Sequence, residues 1–192
     1  MRSLASALLV MLVPAVLAGC GDDDGEGSTT DPAFSFSSDR VAPPEGEGYG
    51  IDGSETDPDP EESVLELELD SGVTVVLWID EDARRVWQQH SQRVSSSAWT
   101  EPELLFEAGD GCQGIQGDTN GETVAATLEC YEDDLFIQQA PDQGQAVVTE
   151  DLEEWEVHDG GELYGEPEVS EDGDEVTWDE GDLRWTAADG FE

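Results

Sequence analysis

The sequence contains no lysine. Six arginines are its only fixed cations, set against 49 aspartates and glutamates, for a formal net charge of −43. A surface of that sign repels phosphate, so nucleic-acid binding is excluded. Histidine is scarce as well: His90 and His158 stand alone, outside any Cys/His cluster, which leaves zinc without a ligand set. No phosphate-cradling glycine loop and no nucleophile elbow occurs. After residue 20 there is no apolar run of membrane-spanning length and no convincing helical period. Cysteine is limited to three positions, Cys20, Cys112 and Cys130.

What is present falls into three parts: residues 1–19, 20–62 and 63–192. The first carries a single positive charge at Arg2, an apolar run over residues 4–18, and then Leu17-Ala18-Gly19-Cys20. The run is too short for a comfortable membrane span and has no stop-transfer flank, so it reads as a signal peptide. Its ending resembles the lipobox of bacterial lipoproteins, whose cysteine is diacylated and becomes the mature N-terminus. That resemblance implies lipidation at Cys20, export by the Sec route, and anchoring to the outer face of the cell membrane. Two acyl chains suffice for stable attachment.

Residues 21–62 hold fourteen acids and one arginine (Arg40) among Gly, Pro, Ser and Thr. Self-repulsion and the lack of apolar surface predict an extended, disordered acidic tether. Phe34 and Phe36 could dock locally, but the composition favours a linker.

Residues 63–192 contain all six tryptophans and repeat themselves. Gly72, Gly121 and Gly173 mark turns 49 and 52 residues apart, within the range of propeller blades. Leu65, Leu67 and Leu69 alternate with acids, as in a half-buried strand, while residues 73–79 are almost continuously apolar. Residues 134–140 read as the third strand of the second repeat, and the segments around Trp99 to Leu105 and Trp155 to Val157 read as fourth strands. The fold class is therefore all-β: about eleven antiparallel strands in two and a half to three blade-like repeats. The third repeat is expected to stop after Trp185-Thr186-Ala187. A closed propeller needs at least four blades. The units must then pack as an open array or be completed by further chains.

Trp99-Thr100-Glu101-Pro102-Glu103-Leu104-Leu105 resembles the segment after the Asp-box in sialidase-type β-propellers. Thr149-Glu150-Asp151-Leu152-Glu153-Glu154-Trp155 resembles a decayed Asp-box, keeping the hydroxyl, aspartate and tryptophan. Ser170-Glu171-Asp172-Gly173 imitates the box at the turn between first and second strands. The resemblance implies a blade architecture. A sialidase of this fold needs three convergent arginines and a tyrosine nucleophile. The folded part offers only Arg84, Arg85, Arg93 and Arg184, with Tyr131 and Tyr164, and no catalytic residue is assigned. The functional expectation is a non-catalytic binding or scaffolding module of the cell envelope, with a protein or glycan partner. The alternative is a degenerate, sialidase-like carbohydrate-active enzyme.

Two side-chain expectations complete the reading. With Cys20 lipidated, Cys112 and Cys130 are left in an oxidising compartment, at one end of a hairpin turning at Asn120-Gly121, so a disulfide is expected. No cofactor is assigned. Calcium is the cation that Asp118 and Asn120, or Asp172 and Asp174, would take, but acid-rich turns are ordinarily only solvated. The general acidity reads as adaptation to high salt.

Overall fold

A computed structural model of the chain describes residues 36–43, 62–92, 95–109, 111–131, 144–163 and 165–192. The signal peptide, Cys20, Phe34, Arg93, Tyr164 and residues 134–140 lie outside the described residues. The fold is all-β. Among the described residues fourteen strands form three antiparallel sheets, none closed on itself, and the only helical element is a 3-10 turn at Asp179–Gly181.

The first sheet contains β1 (Phe36–Ser38), β2 (Val64–Glu68), β3 (Thr74–Ile79), β4 (Arg85–Gln92), β5 (Ser95–Thr100) and β6 (Glu103–Glu107). Strands β2, β3 and β4 form a meander, and β4 then pairs with β5 at one end and β6 at the other. The segment expected as a single fourth strand is thus two strands. The break falls at Glu101-Pro102, where proline has no N–H to continue a ladder. The second sheet is a four-strand meander of β7 (Gly111–Thr119), β8 (Val124–Tyr131), β9 (Gly144–Thr149) and β10 (Glu156–Gly161). The place expected for residues 134–140 is therefore taken by β9, whose residues are all buried. The third sheet runs β11 (Glu168–Val169), β12 (Glu175–Trp178), β13 (Leu183–Thr186) and β14 (Gly190–Phe191). It does not stop after Ala187, because β14 pairs with β13 through Trp185 and Thr186.

The glycine repeat has a physical cause. Each sheet opens with the same hairpin turn, and Gly72, Gly121 and Gly173 occupy it with φ of 78°, 98° and 74°. These turns also stack on one another. The Asp70 N–H donates to the Gly121 carbonyl at 2.8 Å, and the Thr123 hydroxyl donates to the Gly173 carbonyl at 3.2 Å. A Cβ on Gly121 would lie 2.6 Å from Cγ of Asp70, and one on Gly173 2.7 Å from Oγ1 of Thr123. Left-handed backbone and close approach together demand glycine at the second and third turns.

Stacking buries the sheet faces. Leu77, Ile79 and Val86 of the first sheet meet Ile115, Ala126, Leu128 and Val147 of the second. Ala125, Ala146 and Val148 on the second sheet's other face meet Val176, Trp178 and Trp185 of the third. Residues of β3 are buried on both faces, as its continuous apolar run predicts. Val75, Leu77 and Ile79 point one way, while Val76 and Trp78 pack with Val64 and Trp99.

That far face of the first sheet is covered by residues 36–43, which the composition had assigned to the tether. Ala42 is only 5% exposed and joins Val64, Val76, Trp78 and Trp99. Arg40 bonds Glu66 at 2.7 Å and lies 5.3 Å over the Trp99 ring. The buried Gln89 accepts from the Val41 N–H at 2.9 Å and donates to the Asp39 carbonyl at 3.0 Å. At the opposite end of the stack, the outward residues of β12 and β13 are Glu175, Thr177, Arg184 and Thr186, with Arg184 bonded to Glu175 at 2.8 Å. One end is strapped and the other is polar.

Candidate functional site

Cys112 and Cys130 are directly opposite each other on β7 and β8 and form a disulfide, buried against the first sheet. Its role is to close the end of the hairpin away from Asn120-Gly121.

Of the four candidate cation ligands, Asn120 and Asp172 hold turns and Asp118 joins two sheets. Asp118 Oδ2 accepts the Val169 N–H at 3.0 Å, tying the second sheet to the third. Asn120 Oδ1 accepts the N–H groups of Thr123 and Glu122 at 2.8 and 3.0 Å. Asp172 Oδ1 accepts the Ser170 hydroxyl at 2.8 Å and the Asp174 N–H at 3.4 Å, and these bonds hold its carboxyl below the ordinary aspartate range. Asp174 is exposed. Among the described residues no group of three or more His, Cys, Asp or Glu is arranged to hold a metal ion.

The described arginines do not converge. Arg85 pairs with Asp80 and Asp82, Arg184 with Glu175 on another sheet, and Arg84 is exposed on the turn before β4. Tyr131 is buried and donates to Gln113 Oε1 at 3.1 Å. His90 is buried in β4 with its ring edge-on to Phe36, and His158 stacks on Phe191.

A different feature opens to solvent between the first two sheets. It is a groove of about 160 Å³, lined on one wall by Gln88 of β4 with Glu103, Leu104 and Leu105 of β6, and on the other by Glu153, Trp155 and Val157. Leu104 and Val157 are each 43% exposed, so an apolar side chain stands free on both walls. The local sequence builds the second wall. Asp151 Oδ1 accepts the N–H groups of Glu153 and Glu154 at 2.9 and 3.1 Å, and the Thr149 hydroxyl accepts from the Leu152 N–H at 3.0 Å. Leu152 takes φ of 64° so that the turn can close, and its side chain is buried with Leu69, Val73 and Val124. This turn sets Glu153 and Trp155 beside the start of β10.

Two residues of the groove lining each carry a buried polar atom that has no partner. Gln88, only 2% exposed, donates from Nε2 to Glu103 Oε2 at 2.8 Å, which leaves Oε1 as an unused acceptor. Reversing the amide would set its oxygen against a carboxylate, so the bond to Glu103 fixes the orientation. On the facing wall the Trp155 indole N–H is an unused donor. Each such group costs about 1–3 kcal/mol when buried unpaired. Trp178 and Trp185 also carry unpaired indole N–H groups, but these sit inside the second core. Sequence reading placed β6 and β10 as matching outer strands without seeing the groove. The available signal was Leu104 and Val157, apolar residues on outer strands otherwise edged by acids.

Compared with protein-family models, with curated proteins and with solved structures, the chain matches none.

Proposed function

We propose that the chain is a non-catalytic binding module of the cell envelope, held at the membrane by lipid on Cys20 and binding its partner through the groove between β6 and β10. The groove carries the reading. Leu104 and Val157, two exposed aliphatic side chains, line it together, and the lining residues Gln88 and Trp155 each keep a buried polar atom without a partner. Sites for whole small molecules run to roughly 300–1,000 Å³. At about 160 Å³ this groove suits one side chain of a larger partner instead. The blade-like, four-strand meanders of the second and third sheets favour the propeller-type resemblance, and the strapped and polar end faces favour an open stack over a ring.

The test is cross-linking in the native envelope with a photoreactive residue at Val157 or, as control, at Thr177 on the polar end face. The reading expects discrete adducts at Val157, weak labelling at Thr177, and release of a Cys20→Ser chain from the membrane fraction. Equal labelling at both positions would remove the groove as the binding site.

A further inference from the structure

We infer that the outer face of the first sheet is a peptide-binding site, which the chain fills with its own residues 36–43. An extended segment of another protein, with arginine two residues before a small side chain, displaces this strap. The inference is independent of the groove. The strap is held as a bound peptide is held. Strand β1 adds to the edge of β5, with Phe36 opposite Thr100 and Ser38 opposite Trp99. The chain then crosses β4 and β3 to reach Val64 and Glu66 of β2. Beneath the crossing, the fully buried Gln89 side chain grips main chain only. Its Oε1 accepts the Val41 N–H at 2.9 Å, and its Nε2 donates to the carbonyls of Asp39 and Thr100 at 3.0 and 2.8 Å. Contacts of this kind give affinity for extended backbone, and side-chain pockets give the selection.

Two side chains are selected. Arg40 lies 5.3 Å over the Trp99 ring, donates to Glu66 Oε2 at 2.7 Å, and turns back to the carbonyls of Ala42 and Pro43 at 3.2 and 3.0 Å. A guanidinium has the planar fork of donors to do this at once, and an ammonium has not. Ala42 is buried among Val64, Val76, Trp78 and Trp99, a position that a larger side chain would overpack. Val41 between them is exposed and goes unselected.

The strap is separable from the rest. None of its residues belongs to the cores that join the first sheet to the second and the second to the third. Lifting it uncovers apolar surface around Trp78, Trp87 and Trp99 and takes the Val41 N–H from Gln89 Oε1, so the vacated face calls for a segment of the same kind. A second copy is a poor donor, because each copy carries a net charge of −43.

Hydrogen exchange on the wild-type full chain tests separability. The Val41 amide should exchange at least tenfold faster than the amides of β8, a strand paired on both sides. One common rate would mean that the strap opens only with the whole fold, and would overturn the inference. Occupancy is tested with Arg40→Glu/Ala42→Asp, which disables the strap, and an isotope-labelled blocked peptide, Phe-Ser-Ser-Asp-Arg-Val-Ala-Pro. The peptide should bind this variant saturably and shift the Trp99 indole N–H resonance, assigned with Trp99→Phe. Its affinity should be at least tenfold higher than for wild type, where the attached strap competes. Norleucine in place of the peptide's arginine should cost at least tenfold. Absent binding, or binding equal to wild type, would overturn the site. Equal binding of the norleucine peptide would overturn arginine as its selected side chain. Loss of the fold in the variant would contradict separability, and a discrete wild-type dimer with exchanged straps would contradict a foreign partner.

Discussion

Asp151 and Asp172 show why acid-rich turns here hold their shape. Each carboxylate accepts bonds from groups two or three residues away, so part of its oxygen capacity is committed within its own turn. Asp172 is the clearer case because its acidity responds. The Ser170 hydroxyl is the larger cause of its lowered pKa, with the Asp174 N–H second. A carboxyl depressed in the folded state stabilises at pH above its ordinary value, and that contribution is lost as pH falls through the depressed one. Ser170→Ala should therefore move the Asp172 midpoint back up toward the ordinary aspartate range. Carboxyl-carbon NMR titration reads this directly, and an unchanged midpoint would contradict the assigned cause. At the same scale, Gln88 and Trp155 explain why the groove was not legible in the sequence. Gln88 is on β4 and Trp155 on the turn before β10, far apart in sequence, and they line one groove only when the sheets stack. Nothing in either local motif announces an unpaired atom.

Among the elements, the hairpins were the legible part. Turn glycines locate β2–β3, β7–β8 and β11–β12 because left-handed backbone has few occupants. The Cys112–Cys130 pairing follows from the same hairpin register. That bridge closes a loop of sequence separation 18, and constraining such a loop in the unfolded chain is worth about 3 kcal/mol. Cys112→Ser/Cys130→Ser should lower the urea-derived unfolding free energy by about that amount. A loss near zero would mean that the hairpin is already held without the bridge. The elements that composition concealed are short or depend on distant partners. Strand β1 and the strap after it sit in a segment dominated by Gly, Pro and acids, where a few contacts by Arg40 and Ala42 are invisible to averaging. Strand β14 has two residues and no period to detect. Strand β9 holds the place assigned to residues 134–140 because Ala146, Val147 and Val148 serve two cores at once.

At the largest scale, the three described sheets form a stack with dissimilar ends. The strap puts Ala42 and Arg40 over the apolar face of the first sheet, and the third sheet presents Glu175, Thr177, Arg184 and Thr186 outward. Stacked units need such end faces, since an uncovered apolar face recruits another copy. Exposed strand edges such as β10 would do the same, and the dense carboxylates oppose it. Both devices point to a stack that does not use further copies of itself. Sedimentation equilibrium of the lipid-free chain at high concentration and high salt tests this most directly, because screening removes charge repulsion as the reason for separation. The account predicts one species with the mass of a single chain. A discrete dimer or higher ring under those conditions would contradict it.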